Sequence, residues 1–169
     1  MVLVSKIKNK PTNKNALIKA IRELLEHRAL WLYLLCDETR KKGLSPEEYA
    51  PEAIRRCGIF QGGELVKKGG TTSLKGLKKT LFTKPAQWVF EMKIQKSTDD
   101  QLYIDFHHCP LITAWQKQGC TDEEISELCD FAMCGDRGIA ESFGCELSLP
   151  KTLAKGDSLC EIRFDRVKA

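Results

Sequence analysis

The run Trp88-Val89-Phe90-Glu91-Met92-Lys93-Ile94, followed after a polar gap by Leu102-Tyr103-Ile104-Asp105-Phe106-His107-His108-Cys109-Pro110, decides the fold class. Here the apolar period drops from 3.6 to 2. Trp88, Phe90, Met92 and Ile94 alternate with Val89, Glu91 and Lys93; Leu102, Ile104 and Phe106 alternate with Tyr103, Asp105 and His107. Successive strand side chains point to opposite faces, so each run reads as a strand with one buried face. The polar loop from Gln95 to Gln101 joins them as an antiparallel hairpin. Cys145, Leu147 and Leu149 predict a third strand, and Cys160, Ile162 and Phe164 a fourth.

Upstream the period is helical. Leu17, Ile21, Leu24, Leu25, Leu32 and Leu35 recur at spacings of three and four, predicting one apolar helix face. Asn13 or Asn15 caps this helix, Arg22 and Glu26 pair along it, and Lys41-Lys42-Gly43 ends it. Ser45-Pro46-Glu47-Glu48 starts a second helix, expected to stop near Cys57 at Gly58. Gly62-Gly63 and Gly69-Gly70 flank a basic stretch that reads as a flexible connector; the Gly-x4-Gly-Lys-Ser/Thr order of a phosphate loop is missing. A short helix over Ser73 to Phe82 follows, then one near Leu111 to Lys117. Thr121 with Glu124 forms a capping box for a longer helix reaching about Phe143. Residues 1–12 read as a flexible arm and 13–169 as one domain. Helices, hairpin, helices and two more strands make an α+β domain, its antiparallel sheet of about four strands covered on one face by helices.

Bulk properties exclude several classes. The chain has 169 residues, 27 basic and 23 acidic, for a net charge of +4. That mild balance lacks the clustered basic face of a nucleic-acid binder. No apolar run approaches the roughly 18 residues of a membrane span. The opening apolar run, Met1 to Val4, is shorter than a signal-peptide core of about 7–15 residues. A cytoplasmic location is therefore expected. Eight cysteines fall below the roughly 8–10% of a disulfide scaffold, so reduced thiols are expected. No Cys-x-x-Cys pair is present, and no metal or cofactor is expected. The expected partner is a small-molecule substrate, with a homo-oligomer compatible and neither nucleic acid nor membrane implied.

Chemistry concentrates between His107 and Phe164, which holds two of the three histidines and six of the eight cysteines. Strand alternation puts His108 on the core side, either as an acid or base or as a buried histidine bonded to backbone. His107 faces the other way, toward solvent. Cys109 is a core thiol or a nucleophile. Asp136 falls amid the stripe Ile125, Cys129, Ala132, Ile139 and Phe143, where a carboxylate needs a partner, a ligand or a proton unless Gly135 and Gly138 swing it out. Asp130, Arg137 and Glu141 share a neighbouring face, with Arg137 and Glu141 at ion-pair spacing. Lys155 stands at the sheet edge beside a Gly-Asp turn, as a carboxylate partner or a surface lysine.

Three runs carry a resemblance. They are His107-His108-Cys109-Pro110-Leu111; Cys129-Asp130 followed by Ala132-Met133 and Gly135-Asp136-Arg137-Gly138-Ile139-Ala140; and Lys151-Thr152-Leu153-Ala154-Lys155-Gly156-Asp157 with Cys160-Glu161-Ile162-Arg163-Phe164. Together they resemble the L-2-amino-thiazoline-4-carboxylic acid hydrolase family. The last run also looks like the end of 4-vinyl-reductase-type ligand-binding domains, which implies a non-catalytic sensor as the alternative. The hydrolase resemblance implies opening of a cyclic amidine at a carbon–nitrogen centre by acid/base-assisted water addition. Carried onto these positions, His108, Cys109, Asp130 and Asp136 are the catalytic candidates. Arg137, Glu141 and Lys155 are the substrate-binding candidates.

Overall fold

Asn15 starts the first helix, α1 (Ala16–Lys41): its side-chain oxygen accepts from the amides of Leu17 at 2.9 Å and Ile18 at 3.2 Å. The computed structural model describes residues 5–167; residues 1–4 of the arm lie outside them. The buried stripe of α1 is Ile18, Arg22, Ala29 and Cys36, one position away from the expected leucine face. Leu17, Leu24 and Leu35 are 68%, 73% and 64% exposed. The reason is Ala29, whose small side chain lets the indole of Trp115 come close enough to donate to the Ala29 carbonyl at 3.0 Å. The expected Arg22–Glu26 pair is also absent. Arg22 turns inward, and Glu26 instead meets Lys117 at 2.5 Å.

The second helix corrects a larger expectation. Pro46–Glu48 forms a single 3-10 turn, and α2 then runs from Ala50 to Gly69 without a break. Gly58 does not end it, and Gly62-Gly63 is not a connector. The glycines are there for contact. A Cβ on Gly58 would stand 1.9 Å from the Gly135 carbonyl oxygen, and one on Gly138 would stand 2.2 Å from the Arg55 carbonyl oxygen. The opposing helix is α6 (Asp122–Ser142), opened by the expected Thr121–Glu124 capping box. Small residues let the two backbones touch, so glycine's weak helix propensity is outweighed by packing.

Gly58→Ala should therefore lower stability by about 2–3 kcal/mol despite alanine's better propensity, because backbone cannot yield as a flexible side chain can. Gly63, which faces open space, is the control. Gly63→Ala should raise stability by about 0.5–1 kcal/mol. Urea melts of both read the opposite signs; two changes of the same sign would refute the contact argument.

Between these helices lie α3 (Leu74–Thr80), capped by Ser73, and α4 (Lys84–Val89), with Pro85 in its first turn. Trp88 and Phe90 are thus not strand residues. The strand β1 is Met92–Ser97 and β2 is Gln101–Phe106, an antiparallel hairpin with an irregularity between Ile94 and Lys96. After α5 (Pro110–Lys117) and α6 come β3 (Cys145–Ser148) and β4 (Cys160–Arg166). The sheet order is β1-β2-β4-β3, antiparallel throughout. The inward face carries Leu102, Ile104, Ile162 and Phe164, which join Trp115, Leu128 and Phe143 in one core. The other face is polar: Arg163 pairs with Asp105 at 2.6 Å, and Tyr103 donates to Asp165 at 2.8 Å. The result is the expected α+β domain with helices on one side of a four-stranded sheet.

Candidate functional site

The ladder between β1 and β2 is extended by two residues, as the amides of His107 and His108 donate to the carbonyls of Glu91 and Phe90 at 3.3 and 3.1 Å. Pro110 then forces a change. Proline has no amide to give and holds the preceding residue extended, so Cys109 becomes the N-cap of α5 at φ −132° and ψ 114°. Asn9 holds it there. Its Oδ1 accepts from the Cys109 amide at 2.8 Å, and its Nδ2 donates to the Cys109 carbonyl at 2.8 Å. Asn9 is itself buried.

The Cys109 sulfur is half-buried and meets groups from two other elements. Burial pushes its pKa up, while the Ile112 and Leu111 amides favour the thiolate; Asp136 raises it further and Arg28 lowers it. Asp136 comes from α6 and is pushed up to about 6 by burial, against Arg28 of α1. Asp136 of α6 thus acts on the Cys109 thiol at the start of α5, and the exposed Arg28 of α1 acts on both. Glycines did not swing Asp136 out: Gly135 and Gly138 are spent on α2, and the carboxyl stays half-buried.

Two more thiols lie within electrostatic reach of Cys109. Cys129, also half-buried, is raised well above the usual thiol range by burial, with Cys109 and Cys160 next in effect. Cys160 is pushed up to about 12 by burial and then by Cys109, and its sulfur accepts from the Leu153 amide at 3.2 Å. All are neutral at physiological pH. Among the described residues the eight cysteines are free, and no three His, Cys, Asp or Glu side chains are placed to hold a metal ion.

The remaining candidates lie elsewhere. His108 is fully buried on the core side, as the alternation predicts. Burial, then Arg22, lowers its pKa to about 4, so it is neutral, and its Nδ1 has no partner among the described residues. His107 is not solvated as expected: it is half-buried, and its Nε2 is buried without a partner. Asp130 and Lys155 meet at 3.7 Å with more than half of each side chain exposed. Such a pair contributes little to stability. Both sit beside Cys129 and influence its thiol. Glu141 does not pair with Arg137. It accepts from Arg55 of α2 at 2.6 Å, and Arg137 instead reaches the Asp130 carbonyl at 3.5 Å. Arg28 and Asn9 were missed from sequence. One is an ordinary helix arginine by spacing, and the other lies in a segment without periodicity.

A family model described as L-2-amino-thiazoline-4-carboxylic acid hydrolase matches residues 22–164. No curated protein matches the chain in sequence. Among solved structures, a trafficking protein particle complex subunit 3 from Naegleria fowleri, covalently bound to palmitic acid, superposes with a TM-score of 0.55. The match covers 89% of this chain and 97% of that one at 17% identity, a likeness of fold. Among the described residues, no helix is long and apolar enough to cross a membrane.

Proposed function

The chain belongs to the L-2-amino-thiazoline-4-carboxylic acid hydrolase family, and from that premise we propose that it opens a cyclic amidine at a carbon–nitrogen centre. The observation that carries this reading is the electrostatic influence of half-buried Asp136 on the half-buried Cys109 thiol, with the exposed Arg28 acting on both. A thiol beside a proton acceptor is a nucleophile with its base. Asp136, raised to about 6, is ionised at neutral pH yet basic enough to move a proton.

The route balances without an oxidant or cofactor. The Cys109 sulfur adds to the amidine carbon as its proton passes to Asp136. Asp136 hands that proton to the ring nitrogen as the ring carbon–nitrogen bond breaks, and the carbon stays on the Cys109 sulfur. Water then adds to that carbon and gives its proton to Asp136. The carbon–sulfur bond to Cys109 breaks, and the sulfur takes the proton back. One water is added across the ring carbon–nitrogen bond, giving an S-carbamoyl-cysteine. Arg28 suits the substrate carboxylate, as a guanidinium offers paired donors. Lys155, paired with Asp130 at 3.7 Å and acting on the Cys129 thiol, is a second cation for the substrate carboxylate. His108 is neutral and buried, which suits support of the loop better than proton transfer.

The test is incubation with L-2-amino-thiazoline-4-carboxylate, with carbamoyl-cysteine followed by mass spectrometry. Cys109→Ala should lower turnover by about 100-fold, and acid quench of the wild type should trap a mass adduct on the Cys109 peptide. Undiminished turnover in Cys109→Ala excludes the covalent route. No turnover of any cyclic amidine sinks the hydrolase. A second reading then stands, a non-catalytic binding domain. It is favoured by the neutral thiols Cys109, Cys129 and Cys160 and by the amoebal protein of like fold that holds palmitic acid. Thermal stabilisation by a ligand without product is its signature.

A further inference from the structure

We propose that Asn9 is a positioning residue of the Cys109 centre, holding the thiol in register from a segment outside every helix and strand. The inference rests on the reading that Cys109 is the reacting group.

Residues 5–15 have no regular secondary structure, yet they are tied down along their length. The Ser5 hydroxyl and the Lys6 amide donate to Asp122 at 2.6 and 2.8 Å. The Ile7 side chain enters the core, and its carbonyl accepts from Gln116 at 3.2 Å. Thr12 and Asn13 donate their amides to Glu91 at 2.7 and 2.8 Å. This strap runs from the first turn of α6, the helix of Asp136, across the start of α5, the helix capped by Cys109.

Asn9 is the tie that touches the site. Its amide engages both backbone polar groups of one residue, accepting from the Cys109 N–H and donating to the Cys109 carbonyl, each at 2.8 Å. A further donation to the Thr113 hydroxyl at 3.0 Å anchors it to the first turn of α5. This is the pattern a neighbouring strand offers, supplied by one side chain where the β1–β2 ladder has run out. With its backbone clamped on both sides, Cys109 keeps its sulfur against the Leu111 and Ile112 amides.

The experiment uses the full chain and two readouts. One is the pH profile of carbamidomethylation by iodoacetamide, resolved for each cysteine by peptide mass spectrometry. The other is steady-state turnover. Asn9→Ala should move the Cys109 alkylation midpoint upward by about half a pH unit or more, as the helix amides lose alignment with the sulfur. The midpoints of Cys129 and Cys160 should hold. kcat should fall about tenfold with KM within about threefold, since a small misplacement of a reacting group acts on the chemical step. Ser5→Ala, which removes the hydroxyl's bonds to Asp122 and to the Ile7 amide while the Lys6 amide still holds Asp122, should change neither readout. An unchanged Cys109 midpoint, or all three thiols shifting together, overturns the proposal. If Asn9→Ala does not fold, Asn9→Ser, too short to span both groups, is read the same way. The alkylation readout needs no turnover. A failed hydrolase reading therefore shows as no product, whereas a failed Asn9 proposal shows as an unmoved thiol.

Discussion

Arg22→Met should destabilise the fold by about 3–5 kcal/mol, lowering the thermal midpoint by roughly 10 °C for a chain of this size. The Arg22 guanidinium is buried and meets four acceptors. Its Nε donates to the Val89 carbonyl at 2.8 Å, Nη1 to the Asn13 carbonyl at 2.7 Å, and Nη2 to the Trp88 carbonyl at 3.1 Å and Glu91 at 3.0 Å. Methionine has similar volume, so the deficit is polar. Three carbonyls lose a donor, and a buried carboxylate loses its counter-charge. Glu91 already holds an unusual backbone, at φ +51°, a region that a side chain enters only when its surroundings compel it.

The acid limb gives a second reading of the same substitution. Burial works against ionisation of Glu91, but hydrogen bonds from Asn13, Thr12 and Arg22 prevail and hold its pKa below the usual carboxylate range. A carboxylate depressed in the folded state contributes stability above its unfolded pKa and loses it as pH falls through the folded value. Arg22→Met removes part of that depression, so acid unfolding should begin at a higher pH than in the wild type. A variant with an unaltered melt and an unaltered acid limb would show that the guanidinium is dispensable.

This network also explains where sequence reasoning stopped. Elements with one dominant local signal were legible: the Thr121–Glu124 box, the Asn15 cap, the alternation of Leu102, Ile104 and Phe106, and His108 on the core side. Local rules failed where a distant element decided the outcome. Gly58 and Gly62 read as breakers because nothing nearby reveals that α6 presses on them. Leu17, Leu24 and Leu35 read as core because periodicity cannot choose between a stripe and the one beside it; Ala29 and Trp115 chose. Arg22 was assigned to Glu26 by spacing, whereas burial against Glu91 overrode a surface pair. The candidate site divides in the same way. Asp136 announced itself as a carboxylate among apolar residues, whereas Cys109 read as a core thiol or a nucleophile and its role came only from the family resemblance. Asn9 and Arg28 carry no signal along the chain, because only the third dimension sets them beside a thiol.

The second large effect concerns Asp136 and has two opposed parts. Asp136→Asn should lower turnover by about 100- to 1,000-fold, the range of a lost general acid or base. The ascending limb of kcat/KM, set near pH 6 by the raised carboxyl, should disappear with it. The same variant should be more stable than the wild type at pH 7.5. Burial lifts this carboxyl from 3.8 to about 6, so the folded protein holds an ionised group at a disadvantage in neutral solution. For a group raised in the folded state, stability rises as pH falls through about 6 and levels off below the unfolded value near 4. Asparagine is uncharged at every pH and escapes that penalty. Its advantage should be roughly 1–2 kcal/mol at pH 7.5, reduced by the solvent that still reaches the half-buried group, and should vanish below about pH 4. Differential scanning calorimetry across that range checks the stability part, and the turnover profile checks the other. A variant that loses stability at pH 7.5 would make Asp136 a structural residue, and unchanged turnover would remove it from the chemistry.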